Sequence, residues 1–269
     1  MNEIYTPGYS TNAVDFMSRR SAERQARFLL PHLKSGQRLL DIGCGPGTIT
    51  VGLAKAVAPG EVVGIDLAES QLSVARQNAA QSKLNNARFV VASIYELPFA
   101  DETFDVVFAH AVFEHLKEPV SAIKEIHRVL KPGGLVALRS PDWGGFIVHP
   151  LSPELGAAME FYQQIQSANG GDVLAGRKLK EWVIAAGFRK ANWSGSFEFS
   201  DDIVAITEYL ASQLELNAAK EKFALDVDIL AKFANAFRQL PLQPRAIFAG
   251  SWGEVIAYNE SAQAVILSF

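Results

Sequence analysis

The feature that most constrains this chain is the stretch LLDIGCGPGTIT, which begins at Leu39. Arg38 to Ile42 read as a short apolar strand, a glycine-rich turn follows, and Thr48 opens a segment with apolar residues at helical spacing. A strand, a glycine turn and a helix in this order form a common cradle for nucleotide-like ligands. The turn can approach a ligand closely, and the N–H groups at the start of the helix are free to bind it.

The spacing of the glycines distinguishes between kinds of cradle. A dinucleotide site reads G-x-G-x-x-G, whereas Gly43, Gly45 and Gly47 give G-x-G-x-G, with Thr48 at the expected third position. This difference disfavours a nicotinamide dehydrogenase. A second strand, 61–66, ends in an acid about 20 residues after the turn, where an acid accepts the ribose hydroxyls of an adenosine.

The glycine turn and the acid at the end of the second strand occur together in a known protein family. The sequence DIGCGPG at 41–47, together with Asp66, closely resembles the class I S-adenosylmethionine-dependent methyltransferases. The resemblance continues through FDVVF at 104–108 and LKPGG at 130–134, and it covers about residues 36–141. It implies a Rossmann-like, doubly wound α/β fold with a seven-stranded, mostly parallel sheet, helical insertions over the carboxyl edge, and S-adenosylmethionine as cofactor.

The hydrophobic periodicity predicts alternating strands and helices along the chain. Such alternation implies parallel pairing, with ligands bound at the carboxyl ends of the strands. Strands are predicted at 38–42, 61–66, 87–93, 104–110, 135–139, 188–199 and 253–258, and helices at 12–34, 48–57, 70–83, 120–130, 153–167, 177–186 and most of 201–240.

Together with the elements above, the resemblance implies three regions. Residues 1–35 form an N-terminal arm and helix, a candidate lid, and residues 36–141 form the cofactor-binding core. Residues 142–269 complete the same domain. Within them, the stretches at about 142–176 and 200–244 resemble insertions that cap a substrate pocket.

The resemblance implies cofactor contacts residue by residue. The glycine turn would hold the methionine part, with Asp41 near its ammonium, and Asp66 would hold the ribose. Leu67 and Ile94 would pack on the two faces of the adenine. The full predicted cofactor-binding set is Asp41, Gly43, Cys44, Gly45, Gly47, Asp66, Leu67, Ser93, Ile94, His110 and Tyr9.

One position departs from the family pattern. Many relatives carry an acid after the third strand, which receives the adenine amino group, whereas this chain has Ser93 there. A hydroxyl can still accept a hydrogen bond, but a neutral bond is weaker than a charge-assisted one. We therefore expect retained cofactor binding with a smaller contribution from the adenine.

Two histidines near the end of the fourth strand are the candidate catalytic residues. His110 ends the strand, and His115 occupies the second position of the His-His or Glu-His pair that is common in the small-molecule members of the family that the chain resembles. A histidine can remove a proton from an oxygen or nitrogen nucleophile near neutral pH, although both can also be structural. Glu114 reads as a partner or surface residue, and no residue spacing indicates a metal site.

The N-terminal segment offers an aromatic lid. Tyr5 and Tyr9 are candidates to cover the cofactor, because an aromatic face stabilises a positive sulfonium. The arginines of the following helix read as a solvated face: Arg19, Arg20, Arg24 and Arg27.

Composition narrows the function further. The net charge of −4 and the isoelectric point of about 5.8 argue against a nucleic-acid partner. The single cysteine fits a cytoplasmic protein, and we expect no membrane span and no secretory leader. The leading hypothesis is methyl transfer to an oxygen, nitrogen or carbon of a small-molecule acceptor. The alternatives are a protein or RNA methyltransferase and a non-catalytic S-adenosylmethionine-binding protein.

Overall fold

The computed structural model describes residues 4–199, 202–218 and 225–260. Its strands are β1 (Leu39–Ile42), β2 (Val62–Asp66), β3 (Ala87–Val91), β4 (Phe104–His110), β5 (Leu130–Pro141), β6 (Ile147–His149), β7 (Ala191–Phe199) and β8 (Ile247–Tyr258). Its α-helices are α1 (Thr11–Ser18), α2 (Ala22–Gln25), α3 (Thr48–Val57), α4 (Glu69–Gln81), α5 (Pro119–Val129), α6 (Pro153–Ala168), α7 (Ala175–Ala185), α8 (Ile203–Ala218) and α9 (Val227–Gln239).

The strands form one mixed sheet in the order β3-β2-β1-β4-β5-β8-β7. The first five strands of this order are parallel, and β8 runs antiparallel between β5 and β7. The predicted Rossmann-like, seven-stranded fold is therefore confirmed. A short extra strand, β6, pairs with the beginning of β8. The strand order reverses between β1 and β4, so the carboxyl ends of these two strands form the switch point where ligands bind in such sheets.

Helices cover both faces of the sheet. Successive residues of β1 alternate sides, so that Leu39 packs towards α2 and α3, while Leu40 packs towards α5 and α7. All four residues of β1 are buried, as expected for a strand enclosed by helices on both faces. The carboxyl ends of the strands remain the open edge.

A second apolar core lies beyond that edge. Helices α1, α6, α8 and α9 pack together around Tyr162, Leu214 and Phe237, and Trp143 joins them from the turn after β5. The stretches predicted as insertions supply α6, α8 and α9. These three helices pack with α1 in this second core.

The main differences from the predicted elements lie at the two flanks. The single helix predicted at 12–34 is instead α1, α2 and a 3-10 turn at Leu30–His32. The chain breaks at Ser21, whose backbone N–H donates to Oε1 of Gln25 at 2.7 Å, a local bond that starts a new helix. Strand β8 begins at Ile247 rather than 253, because its early residues gain partners in β6 and β7.

Within the described residues, no helix is both long enough and apolar enough to cross a membrane.

Candidate functional site

The glycine turn joins β1 to α3 in a conformation that only glycine adopts easily. Gly43 has φ +65° and Gly47 has φ +74°, both left-handed. A Cβ added to Gly43 would lie 2.5 Å from Cγ2 of Val112, and one added to Gly47 would lie 2.6 Å from Cβ of Ala75. The turn is therefore packed closely against both the chain after β4 and helix α4.

Asp66, at the end of β2, holds the glycine turn in place through a hydrogen bond. Its carboxylate accepts the backbone N–H groups of Gly45 and Ala68, each at 3.0 Å. Burial raises the pKa of Asp66, and these backbone bonds oppose that shift. Each carboxylate oxygen keeps a second lone pair, so the group can still accept hydroxyl donors from a ligand.

Asp41 is buried beneath the turn. Its carboxylate accepts the hydroxyl of Thr50 at 2.6 Å. Burial raises its pKa to about 7, despite this hydrogen bond. A cation placed against Asp41 would remove the cost of ionising it in the interior.

A first cavity, which we call the cofactor cavity, opens above the turn with a volume of about 150 Å³. The predicted cofactor-binding residues line it with one exception: they are Asp41, Gly43, Cys44, Gly45, Asp66, Leu67, Ser93, Ile94, His110 and Tyr9. The exception is Gly47, which is the N-cap of α3 and packs against α4 instead of facing the cavity. Its role as a cofactor contact stays a prediction, beside the packing contact that the structure shows.

Unpartnered polar atoms border the cofactor cavity. Oε1 of Gln71 and Nε2 of His110 are buried and form no hydrogen bond with the described residues. Buried polar atoms normally have partners. Together with the open glycine turn, they fit a polar, nucleoside-like ligand, so the residues present suit S-adenosylmethionine. The resemblance had not indicated Gln71.

The end of β3 forms one side of the cofactor cavity. The Ser93 hydroxyl accepts the N–H of Tyr95 at 3.2 Å, which turns this oxygen towards its own loop. Ile94 is buried, and Leu67 on the opposite side is 65% exposed. The two apolar side chains border a space that a flat ring can enter.

The N-terminal arm contributes two tyrosines to the lining of the cofactor cavity. The rings of Tyr5 and Tyr9 stack with centroids 5.3 Å apart, and Tyr5 meets the ring of His115 edge-on at 4.8 Å. Tyr5 is half-buried, whereas Tyr9 is 45% exposed. Burial raises the pKa of Tyr9 to about 12, so it stays a neutral phenol. Both tyrosines stand where a lid would.

The two candidate catalytic histidines are held neutral. His110 stacks on Trp252 at 4.8 Å, and its Nδ1 lies 3.4 Å from Nη1 of Arg139. Burial lowers the pKa of His110 well below its usual range and that of His115 to about 3. A histidine that resists protonation this strongly is a weak general base.

Glu114, expected to be a partner or surface residue, is not on the surface: it is 3% exposed. Its carboxylate accepts the hydroxyl of Ser140 at 2.9 Å and lies 3.6 Å from Nε2 of His115. Burial raises its pKa to about 7. An acid with this pKa can accept and release a proton near neutrality.

A second cavity of about 360 Å³, which we call the acceptor cavity, adjoins the first. Four residues line both: Tyr5, Arg20, Ala111 and His115. Glu114 lines the acceptor cavity, as do Trp143 and Phe146. His149 lies exposed on β6 and outside the lining.

The arginines predicted to form a solvated face differ from one another. Arg19 pairs with Asp202, and Arg24 donates to the carbonyl of Phe199 at 3.3 Å. Arg27 is exposed as predicted, whereas Arg20 is half-buried where the two cavities meet. Arg20 lies directly before the break at Ser21, so it does not lie on the face of a continuous helix as predicted.

No group of three or more His, Cys, Asp or Glu side chains within the described ranges is arranged to hold a metal ion. The thiol of Cys44 is buried beside the turn, and burial raises its pKa well above the usual value, so it is a packing group.

Comparison with known proteins agrees with this geometry. A family model described as a methyltransferase domain matches residues 33–195. An uncharacterized methyltransferase of Schizosaccharomyces pombe is 37% identical over 194 residues, which span 70% of this chain and 69% of the relative. A demethylmenaquinone methyltransferase of Staphylococcus aureus is 41% identical over 105 residues, which span 39% of this chain and 43% of the relative.

Solved structures share the fold. A phosphoethanolamine N-methyltransferase 2 of Haemonchus contortus, in complex with S-adenosylmethionine, superposes with a TM-score of 0.55 at 21% identity, covering 85% of this chain and 50% of that one. The fold, the glycine turn and the matched family lead to one conclusion. This chain belongs to the class I S-adenosylmethionine-dependent methyltransferases.

Proposed function

We propose that this methyltransferase transfers the methyl group of S-adenosylmethionine to a small-molecule acceptor bound in the acceptor cavity. The observation that carries the proposal is the junction of two cavities across Tyr5, Arg20, Ala111 and His115. A pocket of about 360 Å³ has the size of a site for a small organic molecule. Transfer needs two bound reactants in contact, and these adjoining cavities supply the place.

The cofactor would be held by the residues that line the first cavity. In this proposal Asp41 receives the ammonium, Asp66 the ribose hydroxyls, and Ser93 the adenine amino group, while Leu67 and Ile94 cover the adenine. Tyr5 and Tyr9 act as the lid. When bound, S-adenosylmethionine supplies an activated methyl group, so the protein's part is binding, orientation and exclusion of water.

Proton removal from the acceptor is assigned to Glu114 rather than to the two histidines. The acceptor's O–H or N–H bond breaks, its proton bonds to a carboxylate oxygen of Glu114, and the electron pair stays on the acceptor as the nucleophile. The pKa of Glu114 of about 7 suits this exchange, whereas that of His115, about 3, does not. His115 and Ser140 position the carboxylate.

The alternative acceptors have less support. A protein or RNA segment would need an open groove, and a nucleic acid also needs a basic one, whereas the acceptor cavity is capped by α1, α6 and α8 and the chain carries a net charge of −4. A protein that binds the cofactor without chemistry has no use for a buried acid in the acceptor cavity.

Two measurements test the proposal. Calorimetry should show binding of S-adenosylmethionine and S-adenosylhomocysteine but not of NAD. Incubation with methyl-labelled S-adenosylmethionine and a cell extract, separated into metabolites, protein and RNA, should place the label in the metabolite fraction. Label in protein or RNA would overturn the small-molecule assignment, and binding without transfer to any fraction would favour a non-catalytic protein.

A further inference from the structure

The walls of the acceptor cavity are aromatic. Rings reach it from α1, from the turn after β5, from α6, from α8 and from β8: Phe16, Trp143, Phe146, Tyr162, Tyr209 and Trp252. Aromatic walls favour a flat, apolar ligand, because rings stack on one another with little loss of contact.

These rings are already ordered by their neighbours. Phe16 and Tyr209 stack with centroids 4.5 Å apart and planes 13° apart, and Trp143 and Phe146 stack with centroids 4.5 Å apart and planes 14° apart. Side chains fixed in this way lose little freedom when a ligand enters. The cavity is therefore a preformed site for a ring.

Most charges around the acceptor cavity are matched within the protein. Arg19 pairs with Asp202. Glu198 accepts a bond from Arg139 at 3.2 Å and another from Gln25 at 2.7 Å. These groups need nothing from a ligand.

Arg20 is different. Its guanidinium lies 5.9 Å from the centroid of the Phe16 ring, and its side chain makes no hydrogen bond or ion pair with the residues that the structure describes. A guanidinium has five N–H donors, so a half-buried one strongly favours an acceptor. Because Arg20 lines both cavities, a ligand bound to it lies where transfer would occur.

The ligand that satisfies both the rings and Arg20 combines an aromatic body with an anion. A carboxylate matches the planar fork of a guanidinium with two parallel hydrogen bonds. A cationic amine would be repelled by the guanidinium of Arg20. We propose that the methyl acceptor is an aromatic carboxylic acid whose carboxylate is bound by Arg20. This inference rests on the proposed function and names the substrate class of the same site.

Three probes of one shape separate charge from ring binding. They are 2-naphthoate, the neutral 2-naphthamide and the cationic 2-naphthylmethylammonium, titrated calorimetrically into protein saturated with S-adenosylhomocysteine. We expect 2-naphthoate to bind about tenfold or more tightly than the amide, as a charge-assisted bond implies, and the cation to bind most weakly. Equal affinities, a preference for the cation, or no binding of any probe would overturn the inference.

Variants assign the effect to Arg20. Arg20→Gln should abolish the preference for 2-naphthoate while leaving the affinity for 2-naphthamide within about twofold. Arg20→Lys, which keeps the charge but not the fork, should retain part of the preference. The exposed Arg27→Gln is the matched control and should behave as the parent protein. A preference that survives Arg20→Gln in full would contradict the assignment.

The cofactor titration separates this inference from the proposed function. Retained binding of S-adenosylhomocysteine by Arg20→Gln shows that the variant is folded and its cofactor cavity intact. If the parent protein binds S-adenosylhomocysteine but discriminates none of the probes, the aromatic-acid class fails and the methyltransferase assignment stands. If it does not bind S-adenosylhomocysteine at all, the proposed function fails first.

Discussion

The carboxylate of Glu114 lies 3.6 Å from Nε2 of His115, and both side chains are enclosed at the rim of the acceptor cavity. Burial acts on the two groups in opposite senses. It raises the pKa of the acid to about 7 and lowers that of the imidazole to about 3. Near neutral pH, Glu114 is therefore the member of the pair that gains and loses a proton, while His115 stays neutral.

Glu114→Gln should lower turnover about 100-fold or more, the usual contribution of a general base. The amide keeps an oxygen for the Ser140 hydroxyl, so the fold is retained. In the parent enzyme kcat/KM should rise with pH and level off above about 7, because the base works only when deprotonated. The pH profile of the variant should lose this rise.

The exposed Glu160→Gln on α6 is the matched control and should leave both turnover and profile unchanged. His115→Ala should keep the rise with pH, though with lower turnover, because the histidine only positions the acid. A Glu114→Gln enzyme that retains the parental profile would return the base role to another group.

Asp41→Asn should stabilise the cofactor-free protein at alkaline pH. Burial raises the pKa of Asp41 from 3.8 to about 7. Its contribution to stability is therefore full below the unfolded value and lost as the pH rises through the folded one. Asparagine cannot ionise and avoids this loss. The gain in Tm over the parent should be larger at about pH 8 than at about pH 4, by several degrees.

The same variant should bind S-adenosylmethionine less tightly, because the proposed partner of its ammonium is gone. Asp15→Asn, at an exposed position of α1, supplies the control and should show neither effect. A Tm gain that does not depend on pH would mean that Asp41 is not the ionising group.

The sheet and its glycine turn were predictable because their determinants are local. Buried strands such as β1 and β4 are mostly apolar in sequence, and the turn is marked by the glycines that its φ angles require. Most of the cofactor cavity followed from these positions. The close approach of Gly47 to the Cβ of Ala75 could not be predicted, because Ala75 lies far along the chain.

The charged residues of the acceptor cavity were not predictable, because their placement depends on local bends in the path of the chain. Glu114 points inwards since Ala111 takes a left-handed φ of 57°, which redirects the chain after β4, and no residue pattern indicates this. Arg20 enters the junction because the helix breaks beside it. In both cases a local bend of the chain directs a charged residue towards a cavity, although its sequence context suggests a place on the surface.

Ser93→Asp should keep or improve the affinity for S-adenosylmethionine. The hydroxyl of Ser93 already accepts one backbone N–H at 3.2 Å, and a carboxylate at this position has lone pairs for that bond and for the adenine amino group. The gain should not exceed about tenfold, since one neutral bond becomes charge-assisted. Calorimetry measures it, with Ser93→Ala expected to bind more weakly than the parent. A large loss in Ser93→Asp would remove Ser93 from the site.

Gly47→Ala should destabilise the fold without changing the cavity lining. Two costs add: a left-handed φ of +74°, and a Cβ placed 2.6 Å from that of Ala75. Together they amount to about 2–4 kcal/mol, or a Tm lower by roughly 5–15 °C. Gly133→Ala separates the two costs, because Gly133 has a similar φ of +77° but nothing within 4 Å of the added Cβ. Gly133→Ala should lower the free energy of unfolding by only about 1–2 kcal/mol.

Thermal unfolding of both variants, together with a double variant that adds Ala75→Gly to Gly47→Ala, measures the steric part of the cost. Equal losses at the two glycines, or no recovery in the double variant, would show that α3 and α4 separate freely and that their close packing does not hold the turn.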